Sequence, residues 1–436
     1  MADSIERQQL SVARERAILV GCLLPGSQNN PHDPLDELRA LAHTAGAVVV
    51  DEVMQQRQRI DASTFIGSGK VQEIAQMVEA LEVQVVIFDN DLSPSQISSI
   101  EEIVKVKVLD RSELILDIFA GRAQTTESKL QVELAQLEYT YPRLRAMWSH
   151  LERIAGGAPT GIGTRGPGEQ QLEIDRRLVQ RRITMLKREI KQVQGRKERE
   201  VAARGLDFFT AGLVGYTNAG KSTLFNTLTA GDAYADNKLF ATLSTRTRGW
   251  ELGGGDRVML SDTVGFIRDL PHHLVASFRA TLQEAVHSNL LLVVLDVAQP
   301  RCREQWETVR DVLEDIGANT QPRILVLNKI DKVDNNADIL VMEKEHQGPS
   351  VALSAKTGRG VEELVELVRD IMRGREEELV LDIDMADGKA VHFVETRSTV
   401  LDREYGEGRV KLKVRIGSRP LDQLRAMGAE MHIIRL

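Results

Sequence analysis

The segment Gly215-Tyr-Thr-Asn-Ala-Gly-Lys-Ser222 constrains this chain more than any other. It follows an apolar run, Ala211-Gly-Leu-Val214, and leads into a helix-like stretch, Ser222-Thr-Leu-Phe-Asn-Thr-Leu228. Strand, glycine loop and helix in that order make a phosphate loop. The glycines let backbone N–H groups turn inward, and the new helix points its positive dipole end at the phosphates. Gly215, Tyr216, Thr217, Asn218, Ala219 and Gly220 are therefore read as the cradle. Lys221 reaches the β- and γ-phosphates, Ser222 holds Mg²⁺, and Thr223 follows in the first helical turn. The fold class this demands is α/β.

Four further segments narrow the ligand to a guanine nucleotide. Asp262-Thr263-Val264-Gly265 follows the strand-like Val258–Leu260. Its aspartate can meet Mg²⁺ through water, and the Gly265 N–H can meet the γ-phosphate. Asn328-Lys329-Ile-Asp331 ends the strand-like Arg323–Leu327. The Asp331 carboxylate can accept from guanine N1–H and the 2-amino group; adenine lacks that donor pair and would leave the acid unpaired. Ser354-Ala355-Lys356 follows Ser350–Leu353, and the Ala355 N–H can face guanine O6. Phe240-Ala241-Thr242-Leu243-Ser244 contains Thr242, read as the switch threonine that completes the Mg²⁺ shell only with a triphosphate bound. Lys221, Thr242 and Gly265 are the groups expected to carry catalysis, with Ser222 and Thr242 on the metal. These motifs resemble the translation-factor-related GTPases over about residues 206–372.

One position departs from the Ras pattern. Phe266 follows Gly265, where Ras-like enzymes carry the glutamine that orients water. Phenylalanine has no group for this. Slow hydrolysis by the isolated chain is expected, accelerated when a partner orders the switches; a different side chain that positions the water is the open alternative.

At 436 residues the chain suits two to four domains. An apolar fraction of 42% supplies a large core, while 4% aromatics argues against rows of rings stacked on bases. Net charge is −8, which excludes a uniformly basic coat but not a local basic element. Cys22 and Cys302 make neither a disulfide framework nor a metal cluster. No run reaches about 18 apolar residues and the N-terminus lacks a signal-peptide core, so a soluble cytoplasmic protein is expected, and a monomer is the expected state. The His272-His273 pair has no metal-ligand spacing beside it.

Residues 14–120 alternate strand-like runs (Ala17–Leu24, Ala47–Val50, Val83–Phe88, Val106–Leu109) with helix-like ones (Asp33–Ala42, Gly69–Leu81, Ser93–Val104), which predicts a small parallel α/β domain over 1–120. Phe65-Ile-Gly-Ser-Gly-Lys70 within it faintly resembles a phosphate loop, and reads more simply as a tight turn before a helix.

Residues 121–204 carry two apolar seams. Leu130, Leu134, Leu137, Tyr141, Leu144, Trp148 and Leu151 form the first; Leu172, Val179, Ile183, Leu186, Ile190 and Val193 form the second. They predict an antiparallel helical hairpin, with Pro142 kinking its first arm. The glycine-rich loop 156–168 between the arms is longer than two helices need. It is either a flexible connector or an element that orders inside an RNA-lined space. The second arm is basic (Arg176, Arg177, Arg181, Arg182, Lys187, Arg188, Lys191, Arg196, Lys197, Arg199 and Arg204), either a solvated face or a contact for RNA phosphates. A P-loop GTPase (G) domain over 205–372 follows. Residues 377–436 alternate as strands at Leu379–Ile383, Arg409–Arg415 and Glu430–Ile434 around a helix at Pro420–Met427, predicting a small α+β domain.

The order of these parts, together with Gly163-Thr-Arg-Gly-Pro-Gly-Glu169-Gln-Gln-Leu-Glu173-Ile-Asp175-Arg-Arg177, closely resembles the HflX GTPases over essentially the whole chain. The resemblance implies a factor that binds GTP and GDP, uses Mg²⁺, and binds the large ribosomal subunit or the whole ribosome. It implies splitting of stalled ribosomes, GTPase stimulation by the ribosome, and a place for loop 156–168 beside ribosomal RNA in the peptidyl-transferase region. It also raises ATP at the N-terminal domain, for which residues 1–120 offer no strong site. Two rivals remain open: a GTP-gated assembly factor for the large subunit, and an RNA-remodelling ATPase working from the N-terminal domain.

Overall fold

The computed structural model describes residues 12, 14–26, 30, 33–143, 167–229, 239–240, 245–268, 286–318, 320–333, 337–346, 348–374, 376–406 and 408–435. The N-terminal sheet is formed by β1 (Arg16–Leu23), β2 (Val48–Gln56), β3 (Val85–Phe88) and β4 (Lys107–Leu109) in the order β2-β1-β3-β4. All its pairings are parallel, as the alternation of apolar runs and helices requires. Helices α1 (Asp36–Ala45), α2 (Ser68–Ala80), α3 (Pro94–Val104) and α4 (Arg111–Arg122) make the crossovers. Local chemistry sets their starts. Ser93 and Gln96 form a reciprocal capping box with Pro94 at the first helical position, and Asp110 caps α4 by accepting from the Glu113 N–H. Pro34 and Leu35 lie in a turn before α1 rather than inside it.

The hairpin pairs α5 (Thr126–Thr140) with α6 (Pro167–Asp207). Leu134, Ile183, Leu186 and Ile190 are buried between them, flanked by Leu130, Leu137, Tyr141 and Val179. The Arg176 guanidinium lies over the Tyr141 ring and Arg182 bonds Glu133 at 2.7 Å, so the arms run antiparallel. Pro142 lies in the turn that follows α5, and the continuation of the first arm beyond residue 143 lies outside the described residues. Leu144, Trp148 and Leu151 of the first seam, and residues 156–166 of the glycine loop, lie outside the described residues. Pro167 and Gly168 open α6 instead of closing that loop. At 41 residues α6 is about 60 Å long, and one residue, Phe208, joins it to the next strand.

That strand is β5 (Phe209–Gly215), in the middle of a six-stranded sheet. The others are β6 (Arg246–Gly253), β7 (Asp256–Asp262), β8 (Leu290–Asp296), β9 (Arg323–Asn328) and β10 (Ser350–Leu353), in the order β10-β9-β8-β5-β7-β6. Only the β6–β7 pairing is antiparallel. Every residue of β8 is buried, as a strand covered on both faces must be. Helices α7 (Lys221–Thr229), α8 (Cys302–Asp315), α9 (Ala337–His346) and α10 (Val361–Arg373) cover it.

The C-terminal sheet is antiparallel, β12 (Thr399–Tyr405), β13 (Arg409–Gly417), β11 (Glu376–Asp384) and β14 (Met431–Arg435) in that order. It is packed with α11 (Gly388–Arg397) and α12 (Ser418–Ala426). The sequence pattern anticipates β11, β13, α12 and β14 but not α11 or β12; all but one residue of β12 are exposed, so it has no apolar alternation to read.

The apolar cores do not follow the domain count. One core joins Leu35, Leu38 and Phe119 of the N-terminal domain to Val214, Phe266 and Trp306 of the P-loop domain. The C-terminal module has its own, around Leu381, Leu412 and Leu424. Both cysteines are free and buried.

Candidate active site

β5 delivers Gly215 to the carboxyl edge of the sheet, and α7 starts at Lys221. The loop between them could not be built without its glycines. Gly215 has φ +148°, and a Cβ there would lie 2.2 Å from the Val294 carbonyl oxygen. Gly220 has φ +98°, and a Cβ would lie 2.2 Å from Asn328 Nδ2. Lys221 is buried under the loop and donates to the Gly215 and Tyr216 carbonyls at 3.0 and 2.7 Å. Burial pushes its pKa down to about 8, against the pull of the Asp262 charge. An ammonium held in so dry a place gains most from an arriving phosphate.

Ser222 Oγ donates to Asp262 Oδ2 at 2.9 Å, at the end of β7. A hydroxyl and a carboxylate side by side are hard oxygen donors, the set that suits Mg²⁺. Among the described residues no group of three His, Cys, Asp or Glu could hold a metal by itself. Ser222, Asp262 and the phosphates would therefore have to share the ion. Thr263 Oγ1 donates to the Leu213 carbonyl at 2.6 Å and fixes the start of the Asp262–Gly265 segment. Val264 is buried. Gly265 lies so close to the loop that a Cβ would fall 2.9 Å from both Lys221 Nζ and Thr217 Cα. Beyond it the Phe266 N–H donates to the Gly215 carbonyl at 3.0 Å, and the Thr217 N–H donates to the Phe266 carbonyl at 2.7 Å. The backbone after Gly265 is thus zipped onto the phosphate loop.

The base side is assembled by Asn328. Its Nδ2 donates to the Ala219 carbonyl at 2.8 Å and its Oδ1 accepts from the Ala355 N–H at 2.9 Å. The N–H expected to face guanine O6 is therefore engaged by Asn328 here. Lys329, at φ +69°, bridges the Asn218 carbonyl and Asp296 Oδ2, each at 2.7 Å. Ser354 Oγ donates to Asp331 Oδ1 at 2.6 Å, which holds that carboxyl below its ordinary range and leaves it ionised and exposed. Lys356 is exposed beside it, and the Thr227 hydroxyl ties the Ala355 carbonyl to α7 at 2.7 Å while also contacting the Thr223 carbonyl. Ala241, Thr242, Leu243 and Ser244 lie outside the described residues, as does the His272-His273 pair.

Two residues expected at the nucleotide turn away from it. The Phe240 ring meets Phe119 of α4 edge-on, with centroids 4.6 Å apart. The Tyr216 side chain points into the N-terminal domain, where its hydroxyl donates to Glu37 Oε1 and accepts from the Arg268 N–H at 2.8 Å. Burial and the Glu37 charge raise the phenol's pKa, so it remains a donor. A cavity of about 240 Å³ lies along this seam, between α1 and the loop.

Motif reading finds none of Glu37, Asp89, Arg111 and Arg268, which meet in the seam. Asp89 and Arg268 each follow a buried apolar run, Val85–Phe88 and Phe266-Ile267, so a charge at the end of such a run was the available signal. The faint loop at Phe65–Lys70 is a helix start: the Gly67 N–H donates to Gln55 Oε1 at 2.8 Å, and Lys70 pairs with Glu73 at 2.6 Å.

Family models for a GTP-binding GTPase N-terminal region match residues 32–120, for its middle region residues 122–204, and for a 50S ribosome-binding GTPase residues 210–329. The chain is 42% identical to the GTPase HflX of Lacrimispora saccharolytica, covering 93% of this chain and 94% of that one. It is 41% identical to the GTPase HflX of Escherichia coli K12, at the same coverage. The chain belongs to the HflX family of GTPases. A solved GTP-binding protein of Sulfolobus solfataricus in complex with GDP aligns at 25% identity and TM-score 0.44, over 82% of this chain and 98% of its own. Like its HflX relatives, the chain binds GTP and hydrolyses it. None of its described helices is long and apolar enough to cross a membrane.

Proposed function

We propose that the GTP form binds the large ribosomal subunit or the intact ribosome and parts stalled ribosomes into subunits, and that hydrolysis releases the factor. The observation that carries this reading is the junction at Phe208. A helix of 41 residues runs, with one residue between, into the strand that ends in the phosphate loop. Arg177, Arg181, Lys187, Arg188, Lys191 and Arg196 of α6 are exposed, a stripe suited to RNA phosphates. The description of the matched P-loop model, a 50S ribosome-binding GTPase, supports the same target.

Mg²⁺ fits beside Ser222 and Asp262, where it would neutralise charge on the β- and γ-phosphates. Lys221 stabilises the same charge, Gly265 offers its N–H to the γ-phosphate, and Asp331 selects guanine. Thr242 would be the residue that holds the ion only with a triphosphate bound. Phe266 contributes no water-orienting group, so the ribosome supplies what orders the switches. Asp331 is exposed, so the base side is open to an arriving nucleotide. The chain acts in the cytoplasm, where ribosomes are.

Sedimentation of intact ribosomes with the protein and GTP, GDP or a non-hydrolysable GTP analogue tests this. Subunits should accumulate with the analogue and co-sediment with the protein, and GDP should give neither. Binding confined to immature large particles would replace splitting with assembly. ATP turnover that survives Lys221→Ala would point to an N-terminal ATPase instead.

A further inference from the structure

The N-terminal domain grips every described segment that senses the γ-phosphate. Arg111 donates from Nη1 to Asp89 Oδ1 at 2.7 Å and from Nη2 to Glu37 Oε2 at 2.5 Å. Its Nη2 also donates to the Arg268 carbonyl at 3.2 Å. Arg268, three residues after Gly265, answers from the P-loop domain: its Nη2 donates to Asp89 Oδ2 at 3.1 Å, and its Nε lies 3.5 Å from Glu37 Oε2. Glu37 also accepts from the Tyr216 hydroxyl, whose oxygen accepts from the Arg268 N–H. Two cations, two anions and a phenol close a ring. Side-chain exposure is 2% for Arg111, 4% for Asp89, 6% for Arg268 and 13% for Glu37. The segment before Thr242 is held too: the Leu239 N–H donates to Thr44 Oγ1 at 3.2 Å, and Phe240 packs on Phe119.

We infer that Arg111 and Glu37 are positioning residues for GTP turnover, acting through Arg268 and Tyr216 to hold the phosphate loop and the segment after Gly265 in one of two arrangements. The geometry supplies the reason. On this inference, the Gly265 N–H turns to a γ-phosphate as its backbone leaves the Gly215 and Thr217 contacts made by Phe266. Arg268 is two residues beyond Phe266, so that movement draws its guanidinium off Asp89 and its N–H off Tyr216. The ring is charge-balanced and nearly dry, and a dry ion network tolerates no half-opened form, because removing one member strands another. It therefore breaks as a unit, which makes the switch two-state. Arg111 and Glu37 favour the arrangement in which Phe266 is bonded to the phosphate loop. The inference rests on the GTPase activity of the G domain and not on the ribosomal reading.

The test measures equilibrium affinity for GDP and for a non-hydrolysable GTP analogue in full-length protein, with pre-steady-state hydrolysis alongside. Wild-type binding of both nucleotides is recorded first; failure there would be a failure of the nucleotide site and not of the ring. In Arg111→Gln the ratio of analogue to GDP affinity should rise at least about five-fold, the lower range of measured couplings. Glu37→Gln should move it in the same direction, and Arg111→Lys, which keeps the charge but loses the forked contact, by less. Arg268→Gln combined with Arg111→Gln should be strongly non-additive. Equal change in both affinities would show a merely structural role, and an unchanged ratio or additive double variant would overturn the inference. If Arg111→Gln does not fold, the Glu37→Gln and Arg111→Lys ratios decide it.

Discussion

The two outer domains are joined to the G domain in different ways. The N-terminal joint is a continuous apolar core crossed by a buried ionic ring, and it takes hold of Tyr216 and Phe240 within the nucleotide motifs and of Arg268 just beyond one. The C-terminal joint is a rivet. Asp256, which accepts from Arg373 Nη2 of α10 at 2.9 Å within the G domain, reaches across to Arg397 of α11 at 3.7 Å, beside a cavity of about 330 Å³. Arg373 and Arg397 are about a third exposed there, and the module beyond keeps a separate core. A shared core lets one domain feel the other's rearrangement; a rivet between two closed cores only fixes a distance. The expectation is that a change of nucleotide is felt by the N-terminal domain more than by the C-terminal module.

Core truncation probes this contrast most strongly. Phe119 is 1% exposed and faces Phe240, so Phe119→Ala should cost about 3–5 kcal/mol. The loss should appear in amide exchange of both the N-terminal and G domains. Leu424→Ala removes a side chain that is 0% exposed and should cost about 2–5 kcal/mol, confined to C-terminal amides. Should Phe119→Ala loosen the N-terminal domain while leaving the G domain's protection intact, the shared core is not shared energetically.

Lys221→Ala comes next. It removes the buried cation from the phosphates and should lower GTP hydrolysis by more than about 100-fold, measured as phosphate release at saturating nucleotide. In wild-type protein a GTP analogue should change exchange around Arg111 and Glu37 but not around Asp256. In Lys221→Ala both joints should be silent. Hydrolysis at the wild-type rate would remove the lysine from the site.

The contrast also explains what could be read in advance. The phosphate loop, Asp262–Gly265, Asn328–Asp331 and Ser354–Lys356 were legible because each is a local pattern whose chemistry needs neighbouring residues. The parallel N-terminal sheet was legible from apolar runs and punctuating helices, and α5–α6 from their seams. The ionic ring was not, since Glu37, Asp89, Arg111 and Arg268 come from four elements as many as 231 positions apart and only the tertiary fold brings them together. For the same reason Tyr216 and Phe240 were assigned to the nucleotide by motif membership, while their side chains serve the joint.

A smaller effect separates the base side from both joints. Asp331→Asn should weaken GTP by about ten- to a hundred-fold and favour a purine with a carbonyl at position 2, such as xanthosine triphosphate. Competition binding reads this directly. Because Asp331 contacts Ser354 and neither joint, exchange around Arg111 should still respond once the xanthosine analogue is bound. An undiminished preference for GTP would mean that the base is read elsewhere.

Lys221 gives a pH dependence. Its folded pKa of about 8 lies below the ordinary 10.5, so between these values the unfolded chain binds more protons, and this group makes stability rise with pH. Bound phosphates favour the charged amine, so nucleotide binding takes up a proton in the same window. GTP affinity should fall above about pH 8, toward a limit of about ten-fold per unit. Calorimetry in buffers of different ionisation enthalpy measures the uptake, and zero uptake across the window would contradict the buried-cation account.

The smallest effect belongs to the rivet. Asp256→Asn keeps the shape and removes the charge that Arg373, Arg369 and Arg397 surround. All three guanidiniums are about a third exposed, so the change should cost only about 1 kcal/mol, read as a small fall in melting temperature. Hydrolysis should stay within about two-fold, since no nucleotide motif touches this joint. A larger kinetic effect would mean that β7, which carries Asp256 at one end and Asp262 at the other, transmits strain along its length. The rivet would then be a second input to the active site, and the asymmetry between the joints would be one of degree.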